Sequence, residues 1–278
     1  MQLTRLILVA ACCALNGCAH LDIELAGFMS PDRGTRAARL PPGYVIENRI
    51  IAADGRSIGI TYARHPGSQA TILFCGGDAF HRSIEGGEAL QALAVDADVV
   101  LFDYPGYGDT TGAPSTEAIL DTATAAYDYV FGLESTAAKK RVLYGFSLGG
   151  MVAAHLAQDR RADGLVLEST PPSVRGWAQS RIPIAFRPMV KLRIEPQLAA
   201  IDSVAALEHF RGKVLLLASR SDEMVPAKLS FDLEQRLREA HRDIRLVEFP
   251  GRRHGNINRS PAFPATLRNF LEQVRLMP

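Results

Sequence analysis

Cysteine is scarce and unevenly placed. Of four in 278 residues, Cys12, Cys13 and Cys18 fall near the start, and Cys75 stands alone in the remainder. That excludes a disulfide framework in the body of the chain, and no His/Cys spacing fits a structural zinc site. An excess of charge of one sign is also missing: 31 basic residues face 30 acidic ones. A chain built to bind nucleic acid electrostatically would show a clear basic surplus, so no nucleic-acid partner is expected. Low-complexity tracts and internal repeats are absent. The longest apolar run near the start covers residues 6–15, too short to span a bilayer as a helix. What is present, 47% hydrophobic and 22% charged residues, is the composition of a globular chain. One α/β domain accounts for the length.

The first residues are set apart from the fold. Arg5 precedes the apolar run, and small residues follow it, the pattern of a secretory signal peptide. Leu15-Asn16-Gly17-Cys18 resembles the lipobox of bacterial lipoproteins, in which the cysteine becomes the lipidated first residue. That resemblance implies a signal peptide over 1–17 and lipidation at Cys18. It also implies an exported protein held at a membrane, the outer one in a Gram-negative cell, since no Asp follows the cysteine. Residues 18–42, rich in small, polar, Pro and Gly residues, read as a tether. The domain is expected over 43–278.

Within the domain, two β-like runs, 45–51 and 57–62, flank Asp54-Gly55, a hairpin turn signal. Short continuous apolar runs follow at 71–74, 98–102, 141–144, 164–167, 213–217 and 244–249, as expected of parallel strands buried on both faces. Helical stretches lie between them. Over 116–131, Ile119, Leu120, Ala123, Tyr127, Val130 and Phe131 share one side at 3.6 spacing. Further helices are expected over 148–158 and 264–276. The pattern predicts an α/β, doubly wound, mostly parallel sheet with an N-terminal antiparallel hairpin. Residues 171–210 break the alternation. A forty-residue structureless loop does not suit a compact domain, so this segment, with Trp177, Ile182, Ile184, Phe186 and Met189, is expected to form a small helical cap.

The chemistry concentrates at strand ends. Gly145-Phe146-Ser147-Leu148-Gly149 sits between a strand and a helix, where a tight turn exposes the serine hydroxyl and tolerates only glycine beside it. A serine nucleophile needs a base, and the base needs an orienting acid. Asp222 follows the strand at 213–217, and His254 follows the last strand, in the chain order Ser, Asp, His. Glu223 is the reserve acid, and His81 the reserve base. An oxyanion hole requires two backbone N–H groups. One belongs to Leu148. The other belongs to the Gly76-Gly77-Asp78-Ala79 loop, at Asp78 or its neighbour Ala79.

These motifs resemble those of the α/β-hydrolase superfamily, in its serine-hydrolase branch. The elbow with Gly150 carries the likeness, and so does Asp103-Tyr104-Pro105-Gly106-Tyr107-Gly108, similar to the Asp-x-x-Gly-x-Gly segment after the fourth strand. Gly76-Gly77-Asp78-Ala79 stands where many relatives have His-Gly-Asn-Ala, with Gly76 in the histidine position. Ser221-Asp222-Glu223-Met224-Val225-Pro226 is similar to the acid loop. The resemblance covers the chain from Tyr44 onward and implies hydrolysis of a carboxylic ester or related acyl bond in a small-molecule substrate, through an acyl-enzyme and without a metal or organic cofactor. Thioesterases and aminopeptidases use the same triad. A non-catalytic, surface-anchored binding lipoprotein is the reading from a different class. Nothing in the sequence fixes an oligomeric state.

Overall fold

The computed structural model describes residues 19–29, 42–240 and 243–277. The expected signal peptide and Cys18 lie outside them. Eight strands form one sheet: β2 (Val45–Ala53), β3 (Arg56–Arg64), β4 (Ala70–Cys75), β5 (Asp98–Phe102), β6 (Lys140–Phe146), β7 (Gly164–Glu168), β9 (Lys213–Ala218) and β10 (Ile244–Glu248). Their order across the sheet is β10-β9-β7-β6-β4-β5-β3-β2. β2 and β3 pair antiparallel, as do β3 and β5, and the remaining pairs are parallel. The expected fold class is therefore the observed one. Asp54 and Gly55 turn the hairpin with φ of 50° and 74°, as a two-residue primed turn requires. β4, β5 and β7 are buried along their whole length, which is why they read as unbroken apolar runs.

Helices cover both faces. α2 (Thr116–Phe131) and α3 (Leu148–Asp159) pack on one, where Ile119, Ala123, Val130 and Met151 join the core. Ser115 caps α2 by accepting from the Ala118 N–H at 3.1 Å. α1 (Gly86–Leu93) and α8 (Phe263–Arg275) cover the other face with Leu90, Leu93, Phe263, Leu267 and Phe270. α7 (Ala227–Ala240) packs beside β9 and β10. β5 lies on one side of β4 and β6 on the other, so the loops after β4 and β6 open a crevice at the sheet's carboxyl edge. Such a switch point is where open α/β sheets bind ligands.

Between β7 and β9 runs the cap. It holds the short helices α4 (Val174–Arg181), α5 (Pro196–Ala199) and α6 (Ser203–Ala206), a 3-10 turn at Ile184–Met189, and a strand, β8 (Val190–Ile194). The strand was not expected, nor was its partner. β1 (Ala19–Ile23) pairs parallel with β8 in register Ala19↔Val190 to Ile23↔Ile194. The start of the segment read as a tether is thus built onto the cap. Ile23, Leu25 and Met29 are buried there, and Phe28 meets Trp177 edge-on with ring centroids 5.3 Å apart.

Candidate active site

Ser147 follows β6 at the first turn of α3, with φ 54° and ψ −117°. This conformation is strained for a residue with a side chain and persists because its surroundings hold it. A Cβ on Gly145 would lie 2.3 Å from the Gly149 carbonyl oxygen, and one on Gly149 would lie 2.0 Å from that of Cys75. The glycines of the elbow are therefore demanded by backbone packed against backbone. The Ser147 N–H donates to the Glu168 carbonyl at 2.9 Å, which ties the turn to β7.

Asp222 lies in the loop after β9 and is 7% exposed. One carboxylate oxygen, Oδ1, accepts from the backbone N–H groups of Met224 and Val225 at 2.9 and 2.8 Å. His254, after β10, brings Nδ1 to 3.1 Å from Oδ1 and 3.0 Å from Oδ2 of Asp222. A carboxylate can only accept here, so Nδ1 carries the proton and Nε2 is left with its lone pair. Burial pushes the Asp222 carboxyl up. The His254 bond and charge, with the Val225 N–H, outweigh that and hold it below the usual range. Glu223, the reserve acid, pairs with Arg253 at 3.1 Å and accepts from the His254 backbone N–H at 3.3 Å, so it meets the backbone of that residue. His81, the reserve base, stacks on Tyr107 with centroids 4.2 Å apart. Ser147 and His254 line the same pocket. No hydrogen bond joins the Ser147 hydroxyl to the imidazole among the described residues, a spacing that such pairs often show without substrate.

Leu148 opens α3, so its N–H lies in the first turn, where helix N–H groups lack intrahelical partners. Asp78 follows β4 and lines the pocket with Ser147. Burial raises its carboxyl above the ordinary range, against the charge of His254 and the N–H groups of Asp78 and Ala79, which pull it down. Its loop is clamped from below. Tyr104 donates to the Gly76 carbonyl at 3.0 Å, and Tyr107 donates to the Asp78 carbonyl. The turn that presents both tyrosines is pinned by Asp103, which accepts from the Arg82 backbone N–H at 2.7 Å and Nε at 3.1 Å. The Asp103–Gly108 motif was legible in the sequence. Its work as a clamp on the Gly76–Asp78 loop was not, because that requires two loops distant in sequence brought together.

Two cavities meet at Asp78 and His254. One, of about 120 Å³, lies under the cap among Leu25, Phe28, Met151, Val174, Trp177 and Leu198. The other, of about 340 Å³, runs toward α1 and includes Glu85, Glu88, Tyr144, Glu168 and Arg259. Glu168, 4% exposed, accepts from the Tyr144 hydroxyl at 2.5 Å. Burial pushes its carboxyl up to about 7, with Asp222 adding to the rise and Tyr144 and His254 opposing it. Sequence reasoning missed Glu168, whose position at the end of an apolar strand carries no motif.

This combination of elbow, strand-end loops and sheet order defines the class, and the chain belongs to the alpha/beta hydrolase fold family. The family profile described as alpha/beta hydrolase fold matches residues 72–188. An uncharacterized protein of Mycobacterium tuberculosis is 33% identical over 211 residues, 74% of this chain and 71% of that one. Lysophosphatidylserine lipase ABHD12 of Danio rerio is 29% identical over 230 residues, 73% of this chain; the match spans 58% of that protein. Among solved structures, the Pyrococcus furiosus esterase Pf2001 superposes with a TM-score of 0.69 at 15% identity, over 88% of this chain and 99% of that one. At that identity the likeness speaks for the fold.

Proposed function

We propose that the chain is a serine hydrolase that cleaves a carboxylic ester of an amphiphile carrying an apolar acyl chain. The observation that carries the reading is the His254–Asp222 contact, 3.0 Å from Nδ1 to Oδ2, beside a serine held in the strained elbow conformation. Ser147 Oγ attacks the carbonyl carbon and passes its proton to Nε2 of His254. Asp222 holds the imidazole and balances its positive charge. The oxyanion is received by the N–H groups of Leu148 and Asp78. His254 then protonates the leaving alcohol, and water, activated by the same imidazole, releases the acid. The apolar walls under the cap suit the acyl chain, and the larger cavity toward α1, where Glu85, Glu168 and the Glu88–Arg259 pair stand among Phe74, Phe80 and Leu93, offers polar groups to the alcohol. The lipase among the relatives supports ester over peptide substrates.

A fluorophosphonate probe should label the full chain, and Ser147→Ala should abolish labelling. Absence of labelling in folded wild-type protein would favour a binding lipoprotein without turnover. A series of p-nitrophenyl esters, thioesters and aminoacyl amides then ranks the bond cleaved. We further propose export and lipidation at Cys18, supported by the lipobox likeness. Labelled fatty acid should enter the wild-type chain and be absent from Cys18→Ser.

A further inference from the structure

The cap carries a surface that catalysis does not use. Six large hydrophobic side chains are exposed among the described residues, and three of them, Ile184, Phe186 and Met189, fall in the single 3-10 turn Ile184–Met189 at 78%, 43% and 44% exposure. Solvent exposure of three large apolar groups within six residues is a patch, whereas isolated ones need no explanation. Within the segment itself the charge is one-sided, although the neighbouring β1 sets Asp22 beside Arg193 and His20 beside Lys191. Residues 169–194 contain Arg175, Arg181, Arg187, Lys191 and Arg193 and no carboxylate. None of the five forms an ion pair with a described carboxylate; Arg181 and Arg187 donate to the carbonyls of Glu223 and Ile182. On β8, Lys191 and Arg193 are exposed while Val190, Leu192 and Ile194 alternate inward.

We infer that the turn Ile184–Met189 and the cationic face of β8 dock on an anionic lipid bilayer. Apolar side chains at the tip of a cationic element match an interface whose surface is negative and whose interior is apolar. A protein partner would need acidic groups as well as an apolar recess, whereas an anionic bilayer supplies both over any area. Two further features agree. The β1–β8 register sets Ala19 opposite Val190, so β1 begins at the end of β8 that follows Met189. The same cap contributes Val174 and Trp177 to the apolar cavity, so docking would bring that cavity near the source of an acyl-bearing substrate. The surface itself does not depend on the catalytic reading.

Amide exchange of the wild-type full chain, with and without vesicles, tests this directly, since it reads the cap whatever the N-terminus does. Phosphatidylcholine vesicles containing phosphatidylglycerol should slow exchange across residues 182–193, and pure phosphatidylcholine vesicles should not. Raising the salt to about 1 M, where charges are screened within about 3 Å, should remove most of the protection. Lys191→Gln combined with Arg193→Gln, both exposed and checked for an unchanged melting temperature, should weaken the protection roughly thirtyfold. Ile184→Ser with Phe186→Ser should weaken it with the charges intact. The inference is overturned if the chain floats with anionic vesicles while 182–193 exchanges as in solution, or if it does not bind them. Equal protection on neutral vesicles would also overturn it, as would protection that grows with protein concentration alone, which marks self-association.

Discussion

On the cap side of His254 the walls are Leu25, Phe28, Met151 and Trp177; on the α1 side they include Glu85, Glu88, Glu168 and Arg259 beside Phe74 and Phe146. The two cavities share Asp78 and His254 and differ in almost everything else. The apolar one is built from segments distant in sequence: the 25–28 turn, α3, and the cap. The larger one, where a few charged groups stand among aromatic and aliphatic walls, is lined by the ends of β4, β6 and β7, by α1, and by the loop that carries His254. Contributions from the sheet are rigid and buried, whereas those from the cap rest on short helices and a two-stranded pairing. Under the proposed function the difference gives the centre a direction, because an amphiphile set the wrong way round would bury its polar end against Trp177 without partners, at a cost of about 1–3 kcal/mol for each unpaired group.

The largest effect removes the centre that the cavities share. Ser147→Ala and His254→Ala should each lower kcat/KM by about 10⁶-fold, and the double variant should lose little more, since the two act as a unit. Asp222→Asn should cost about 10⁴-fold, with folding checked by melting. A His254→Ala variant within threefold of wild type would place the base elsewhere.

Filling the apolar side comes next. Val174→Trp projects bulk into the smaller cavity and should lower kcat/KM for long-chain esters by about 10–100-fold, while acetyl esters change little. Equal losses across the chain-length series would show that the acyl group lies in the other cavity.

Glu168 tests the charged side. Its carboxyl titrates in the fold at about 7 and in the unfolded chain near 4.5. The folded state therefore holds the proton more tightly, and the stability this contributes is full below pH 4.5 and lost as pH rises to 7 and beyond. Glu168→Gln mimics the protonated form. Its melting temperature should match wild type near pH 4.5 and exceed it at pH 8, by ~1–3 kcal/mol of stability. Wild-type kcat/KM should change as a negative charge develops on Glu168 near His254, and the same variant should flatten that change. A constant difference in melting temperature from pH 4.5 to 8 would contradict the raised carboxyl.

The smallest effect concerns the clamp beneath both cavities. Tyr107→Phe removes the hydrogen bond to the Asp78 carbonyl and should cost ~1 kcal/mol, a fewfold fall in kcat with KM nearly unchanged. A change in KM alone would mean that the loop helps to bind substrate and leaves the oxyanion donor where it was.

How much of this could be read from sequence follows from distance along the chain. The hairpin was legible because Asp54-Gly55 demands a particular turn, and Ser147, Asp222 and His254 were legible because each follows an apolar strand at its carboxyl end. The helix over 116–131 was expected with Leu120 on its buried side; the structure leaves Leu120 half-exposed at the edge of that face. α1 escaped notice because it begins at Gly86-Gly87, and Glu85 makes no side-chain cap. β1 and β8 alternate polar with apolar residues in segments otherwise rich in turn formers, and neither is a strand without the other. Of the five apolar residues noted in the cap, Ile182 is buried and Trp177 lines the cavity, whereas Ile184, Phe186 and Met189 face outward. Hydrophobicity alone could not separate those two groups.

The pairing of β1 with β8 also sets an order of assembly. Leu25 donates its backbone N–H to Glu195 across 170 positions of chain, at 3.2 Å. Closing a loop of that length before local contacts exist is entropically unfavourable, so the sheet and its elbow can form while the 19–29 segment is still unattached. The apolar cavity then gains Leu25 and Phe28 as its last wall. A chain begun at Gly43 would keep the sheet, the elbow and the Asp222–His254 contact, yet open that cavity to water along one side. Under the proposed function, such a truncated chain should still cleave short esters and lose discrimination by chain length.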